Sequence, residues 1–404
     1  MQRLTLATRQ QLKLARSWLE IDLDRLLDNL RFIRSTQEGT KALTAVVKAN
    51  AYGHGARVIA KTMAEAGLVE RFAVATAQEA AEIAELGLNL PIEVLSLTSP
   101  AYYPELFEHG IIPIIARYQE AEALADLARA RGHVLTCHLA LDSGMGRIGL
   151  AVDDASEQSF SEARAILSLE GLDIEAYMTH FPMADLEAAD VETLAAYERF
   201  EDFCRRLDRS DGRARLRHCS NSAFCLRHAS KTLDLYRPGL ILYGLLPDAC
   251  EKFSPGLSPI AAFKTEVVHV KEVPAGTTVS YGASYRSPVR EKIATLACGY
   301  ADGYARSFGN RARVHLSTGE ALPVVGRVCM DACMVSANLE SLISVSDEVL
   351  LFGDEGTSLA ELATYDSTIV YELACRISPR VPRVYFKNQK LYAIERAQQE
   401  IEFF

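Results

Sequence analysis

Between about residue 40 and residue 245 the chain alternates short apolar runs with longer amphipathic stretches. The runs 43–47, 72–76, 92–97, 111–116, 134–141, 174–179, 216–219 and 235–243 have the length and composition of buried strands. Segments such as 119–131 and 186–207, rich in Ala, Leu and Glu at helical spacing, lie between them. Eight strands separated by helices in roughly two hundred residues predict a (β/α)8 TIM barrel rather than an open doubly wound sheet. No GxGxxG follows an early strand, which removes the strongest support for the open alternative. After about residue 255 the texture changes to short β-rich runs split by Gly and Pro, with no alternating helices. The expected fold is therefore an α/β barrel followed by a mostly β C-terminal domain. Its expected divisions are an N-terminal extension over 1–19, a barrel over 20–250 and a β domain over 251–404, with a linker near 251–257.

At 404 residues the chain is too long for one ordinary core. A net charge of −10 argues against nucleic-acid or acidic-membrane partners, both of which reward a basic surface. No apolar run approaches the length of a membrane span. Nine cysteines without a CxxC pair fit neither a disulfide framework nor a metal site, so a reducing cytoplasm is the expected compartment. The first nineteen residues carry Arg3, Arg9, Lys13 and Arg16 and no acidic residue, yet lack an apolar h-region, so a short N-terminal extension is expected rather than a signal.

Barrel enzymes build their sites on loops at the C-terminal ends of the strands. Lys48 stands at the first such end, in Lys48-Ala49-Asn50-Ala51-Tyr52-Gly53-His54-Gly55. A lysine is seldom buried without a partner or a chemical task, and one such task is forming a Schiff base with a carbonyl. Arg147 follows the fifth strand, in Asp142-Ser143-Gly144-Met145-Gly146-Arg147, and His180 closes the sixth. Asn221 and Ser222 follow the seventh, while Arg237, Pro238, Gly239 and Leu240 belong to the eighth. Alone, His180 reads as a structural strand-end histidine and Arg237 as a surface ion pair. Their shared placement on one rim points to function. Barrels often hold a phosphate between the loops after strands seven and eight, where Ser222 and the N–H groups of Gly239 and Leu240 fall.

The run around Lys48 resembles the pyridoxal-phosphate (PLP) attachment signature of the alanine racemase family. The resemblance extends over nearly the whole chain after the N-terminal extension. It is carried further by Val279-Ser280-Tyr281-Gly282-Ala283, Gly299-Tyr300-Ala301-Asp302-Gly303, Gly326-Arg327-Val328-Cys329-Met330-Asp331 and Ile377-Ser378-Pro379-Arg380-Val381-Pro382-Arg383. It implies an amino-acid racemase, with alanine the default substrate and D-alanine for bacterial peptidoglycan the product. Lys48 would carry PLP and act as one catalytic base, and Tyr281 would be the other, on the opposite cofactor face. The family's Tyr281 equivalent comes from the second subunit, so a homodimer with composite sites is implied. Tyr52, Ser222, Gly239 and Leu240 would hold the phosphate, with His180 and Asn221 beside the cofactor. Arg147 would bind near the phenolic oxygen and the substrate, with Met330 and Asp331 completing the substrate side from the partner. Tyr300, Asp185, Arg306 and Arg327 match residues lining the entrance. No metal is implied.

Racemisation removes the α proton and returns one to the opposite face, so two flanking bases are the direct solution. Tyrosine has an ordinary pKa near ~10 and must be depressed to act as a base. The family geometry implies a hydrogen-bonded chain from Tyr281 through His180 to Arg237. Arginine only donates, so a pyridine nitrogen facing Arg237 stays unprotonated and the cofactor is a weaker electron sink. Two positions depart from the family. Ala140 stands where many members carry a carbamylated lysine, leaving a water or an anion to orient Arg147. Pro379 stands where a tyrosine typically reaches the phosphate. The rival readings are a racemase of serine or a larger amino acid, a barrel-type PLP decarboxylase, and a PLP carrier. The tyrosine-bearing β domain speaks against the carrier.

Overall fold

The first strand, β1 (Ser17–Asp22), does not belong to the barrel that follows it. The computed structural model describes residues 4–14, 16–153, 157–247, 250, 252, 256–397 and 400–404. In it β1 lies between two much later strands, antiparallel to Ala261–Val273 and parallel to Arg383–Lys387. A central strand is covered on both faces, and five of its six residues are buried. Glu20 is completely buried there and is matched by the Lys264 ammonium at 2.8 Å. The chain thus divides differently from the expected 1–19, 20–250 and 251–404. The segment up to Leu26 clusters with everything from Ser258 onward, and so does the short piece Tyr52–Gly55; the remainder forms the barrel unit. Most of the expected linker near 251–257 lies outside the described residues.

In the barrel unit, β2 (Ala42–Val46), β3 (Arg71–Val74), β4 (Ile92–Val94), β5 (Ile112–Ile115) and β6 (Leu135–Asp142) run parallel in sequence order. A two-residue strand, β7 (Leu150–Ala151), pairs with β6. The ring closes through β8 (Leu172–Met178), β9 (Leu216–Ser220) and β10 (Leu235–Tyr236) back to β2. This is the closed eight-stranded barrel the alternation predicts. The expected helices are found at Tyr118–Ala130 and Asp190–Asp211, the latter preceded by a 3-10 turn at Glu187–Ala189.

The eighth strand is far shorter than the apolar run 235–243. It ends at Tyr236, and Leu240–Tyr243 coils into a buried 3-10 turn. Pro238 offers no N–H to a ladder, and a short apolar run does not by itself separate buried strand from buried helix.

The second unit is mostly antiparallel. Its strands are β11 (Ala261–Val273), β12 (Thr278–Val279), β13 (Tyr285–Arg286), β14 (Glu291–Leu296), β15 (Arg313–Leu316), β16 (Ala321–Val325), β17 (Cys333–Ala337), β18 (Glu348–Phe352), β19 (Arg383–Lys387), β20 (Lys390–Glu395) and β21 (Ile401–Phe403). The long β11 pairs with both β14 and β18, so six strands close on themselves. The other flank continues through β1, β19, β20 and β21. Contrary to the helix-free reading, the helices Leu359–Asp366 and Val370–Cys375 intervene before β19.

Candidate active site

Lys48 stands two residues past the end of β2 and is half-buried. Directly after it, Ala49, Asn50, Ala51 and Tyr52 all take φ between 51° and 53°, a left-handed helical turn. For L-residues this conformation costs roughly 1–2 kcal/mol per residue, so the surroundings must enforce it. They do so with three hydrogen bonds. The Ala49 N–H donates to Glu79 Oε1 at 2.7 Å, the Ala51 N–H to the Val47 carbonyl at 2.8 Å, and the Ala56 N–H to Asn50 Oδ1 at 2.7 Å. Tyr52, buried beside the Tyr371 ring at 6.3 Å between centroids, has its hydroxyl pKa pushed up by burial. Gly53 follows at φ +84°, where a Cβ would lie 2.2 Å from the Ala374 carbonyl oxygen. A strained turn fastened at both ends fixes where Lys48 leaves the strand.

The loop carrying Arg147 is pinned by one carboxylate. Asp142 accepts from the N–H groups of Gly144, Met145 and Gly146 at 2.8–3.1 Å. A small pocket of about 10 Å³, open to solvent, is lined by Ala140, Asp142, Met145, Arg147, Met178 and His180. Ala140 itself sits in an apolar cluster with Ile114, Ala116 and Met178. Burial, then the charges of Arg237, Arg147 and Lys48, bring the pKa of His180 down to about 3, so the ring is neutral. That shared influence brings Lys48, Arg147, His180 and Arg237 into one electrostatic neighbourhood.

Asn221 caps the helix Ser222–Arg227 by accepting from the Phe224 N–H, and its amide lies 3.4 Å from His180 Nε2. The Gly239 N–H donates to the Ser222 hydroxyl at 3.0 Å, and Leu240 is buried beside them. The expected hydrogen bond between His180 and Arg237 is not formed among the described residues. Arg237, only 4% exposed, donates instead to His218 Nδ1 at 2.6 Å and to the Thr179 carbonyl at 2.8 Å. A buried guanidinium takes the nearest good acceptors, and a sequence without coordinates does not identify them. His218, and behind it His138, Glu175, Arg71 and Glu93, escaped the sequence reading. Their available signal was a polar residue inside an otherwise apolar barrel strand, as in Ile92-Glu93-Val94 and Cys137-His138-Leu139.

The second unit holds the other residues singled out. Tyr281 is 71% exposed and Met330 54% exposed. Their backbones are nonetheless fastened. Ser280, at φ 66°, donates its hydroxyl to the Arg327 carbonyl at 2.6 Å, and the Tyr300 and Ala301 N–H groups bond the carbonyls of Cys329 and Met330 at 3.0 Å. Asp302 is buried and structural. It accepts from the Gly299 N–H and from Arg380 Nε, and Arg380 reaches on to Asp331 Oδ1 at 2.7 Å. Pro379 lies exposed in the adjoining turn, and Arg306 and Arg327 are exposed, whereas Asp185 of the barrel unit is half-buried. Tyr304 is buried against the Phe308 ring.

The donors at the barrel rim suit a phosphorylated pyridine aldehyde. The Ser222 hydroxyl, which accepts from the Gly239 N–H, keeps its own O–H as an uncharged donor, and among the described residues no carboxylate hydrogen-bonds to either residue. Leu240–Tyr243 adds the N–H groups that a helical first turn leaves without partners. Lys48 supplies an amine and Arg237 a buried group that can only donate. The rim therefore has the make-up of barrel enzymes that carry a phosphorylated aldehyde cofactor on a lysine. Residues 21–247 match the alanine racemase N-terminal domain and residues 260–385 the alanine racemase C-terminal domain. The chain belongs to the alanine racemase family and is an isomerase. The alanine racemase of Desulforamulus reducens is 41% identical over 369 residues, covering 91% of this chain and 98% of the relative. The Clostridium difficile 630 alanine racemase superposes with a TM-score of 0.88 at 35% identity, over 95% of this chain and 99% of the other. That of Bartonella henselae, solved with covalently bound pyridoxal phosphate, gives a TM-score of 0.81 at 26% identity over 92% and 100%.

Proposed function

We propose that the protein is a PLP-dependent alanine racemase that interconverts L- and D-alanine with Lys48 and Tyr281 as opposed bases. The observation that carries the reading is Lys48 at the end of a barrel strand, on a strained turn, in the electrostatic neighbourhood of a buried Arg237 that has no carboxylate partner among the described residues. PLP, when bound, supplies an acceptor for the electrons released at the α carbon. Lys48 anchors it and exchanges a proton with one face of the substrate. Ser222, Gly239, Leu240 and Tyr52 bind its phosphate. Arg147 holds the substrate carboxylate side, and the neutral His180 and Asn221 keep the cofactor's surroundings free of a competing acid. Arg237, a group that can only donate, would face the ring nitrogen and would limit how strongly the ring draws electrons, favouring simple proton return over transamination.

Tyr281 serves the other face. Its exposure within a single chain fits a homodimer in which it, Met330 and Asp331 enter the site of the second copy. Nine cysteines without a CxxC pair suit a cytoplasmic enzyme supplying D-alanine to peptidoglycan. No helix of the described residues is long and apolar enough to cross a membrane. Serine stands as a second substrate because Pro379 carries neither an aromatic ring nor a hydroxyl and Tyr304 is packed away from solvent. Incubating the purified protein with a panel of L-amino acids and resolving the enantiomers tests the reading. D-alanine should accumulate to equality with L-alanine, whereas release of carbon dioxide without D-amino acid would replace the reading with a decarboxylase.

A further inference from the structure

Below Arg237, in the interior of the barrel, runs a set of buried polar groups that the proposed reaction does not use. Arg237 has no carboxylate within ion-pairing distance among the described residues; its Nη1 meets His218 Nδ1 at 2.6 Å. His218 Nε2 lies 3.1 Å from His138 Nδ1, and His138 Nε2 lies 3.0 Å from Glu175 Oε2. Both imidazoles are completely buried.

Arginine has no acceptor, so His218 Nδ1 must carry a lone pair. A neutral imidazole then bears its proton on Nε2, which donates to His138 Nδ1. That nitrogen must accept in turn, and the His138 proton sits on Nε2, aimed at Glu175. Glu93 Oε2 lies 3.9 Å from His138 Nδ1, beyond hydrogen-bond reach, and does not compete. One contact at the top thus dictates every proton position down to the carboxylate.

The charges close in the same way. Arg71 pairs with Glu93 at 2.9 Å and with both oxygens of Glu175. Two carboxylates and one arginine leave one negative charge, and Arg237 supplies the matching positive one. Glu93, His138 and His218 also bring ligand atoms within 4.8 Å of one another. The facing nitrogens of that trio are spent on each other and Glu93 Oε1 on Arg71, which marks a hydrogen-bonded network rather than a cation cage.

We propose that His138 and Glu175 are positioning residues for Arg237. They form the lower rungs of a one-directional ladder, Arg237 to His218 to His138 to Glu175. The ladder fixes both imidazoles in the Nε2–H form and balances the buried guanidinium's charge from a distance. The assignment rests on Arg237 serving the cofactor's ring nitrogen, but the ladder itself is a property of the chain.

Nitrogen-15 NMR of histidine-labelled protein, with and without PLP, tests it. Single substitutions assign the two rings. At neutral pH both should show an unprotonated Nδ1 and a protonated Nε2 in either state; a proton on Nδ1 of either ring overturns the ladder. Glu175→Gln should shift the bound cofactor's visible absorbance and lower kcat for alanine by about tenfold to a hundredfold, the range typical of outer-shell partners, with KM nearly unchanged. His138→Asn, whose side-chain oxygen can still accept from His218, should keep more activity than His138→Leu. Wild-type absorbance and kcat in folded Glu175→Gln, or equal loss in the two His138 variants, overturn the positioning role. A wild-type protein that neither binds PLP nor racemises would instead defeat the functional reading, and the tautomers would still be measured.

Discussion

Arg237 is 4% exposed and Tyr281 is 71% exposed, although both are given a part in one reaction. On the barrel side each functional group is held by others of the same unit. Arg237 is hydrogen-bonded by His218 and Thr179, the Arg147 loop is pinned on Asp142, and Lys48 leaves a turn fixed by Glu79 and Asn50. In the second unit the backbones around Tyr281, Tyr300 and Met330 are just as well tied, but those side chains lie uncovered. A large exposed aromatic on a fixed backbone, with Met330 likewise exposed in the same unit, is the form a surface takes when another surface completes it. On the proposed reading, the difference separates a part of the site that is finished within a chain from a part that a second copy would cover.

The comparison is broken most severely at its anchor. Lys48→Ala removes both the attachment point and a base, so racemisation should fall by more than ~10⁴-fold, beyond what a single general base contributes. Borohydride reduction of the wild type should fix PLP to Lys48; label on another lysine would remove the barrel side from the argument. Tyr281→Phe should lose ~10²–10⁴-fold in racemisation and keep PLP. It should still exchange the α proton of one enantiomer with solvent deuterium, and near-normal racemisation would break the two-base scheme.

A smaller effect is expected from the strained turn. Gly53→Ala places a Cβ against the Ala374 carbonyl at a positive φ, which should cost about 1–3 kcal/mol and lower the melting temperature by several degrees. An unchanged melting temperature would mean that the turn is not enforced. Acid should weaken the fold through His180. Its folded pKa, about 3, lies below its ordinary 6.5, so the unfolded chain binds the extra proton between those values. Stability attributable to this group is present above about 6.5 and lost as pH falls toward 3, at up to about 1.4 kcal/mol per pH unit. Glu175, held down to about 2 by its hydrogen bonds from His138 and Arg71, adds a loss of the same sign below 4.5. Denaturant titrations at pH 7 and pH 5, repeated in His180→Asn, should show a smaller acid loss in the variant.

The smallest effects belong to the two departures. Activity should not respond to bicarbonate, because Ala140 has no amine to carbamylate and sits among aliphatic side chains. Pro379→Tyr should shift the serine-to-alanine ratio toward alanine by a few fold; a substrate panel showing alanine alone in both proteins would remove serine.

The barrel was legible because eight buried strands leave eight apolar runs, and its rim residues because strand ends mark where function sits. The eighth strand was misread at Leu240–Tyr243, where burial makes helix and strand look alike. The N-terminal strand was missed because its partners, Ala261–Val273 and Arg383–Lys387, are hundreds of residues away, and pairing at that range leaves no local pattern. The ladder beneath Arg237 was missed for a related reason. Glu93, His138, Glu175 and His218 come from four different strands, and only barrel closure brings them together.

The central claim is that the finished part and the uncovered part of each site come from different chains. Mixing inactive Lys48→Ala with inactive Tyr281→Phe and allowing subunits to exchange tests it directly. Random pairing would give hybrids that each hold one fully wild-type site, so activity should return to about a quarter of the wild-type rate. If both residues act within one chain, every site in the mixture stays defective, and no activity would return.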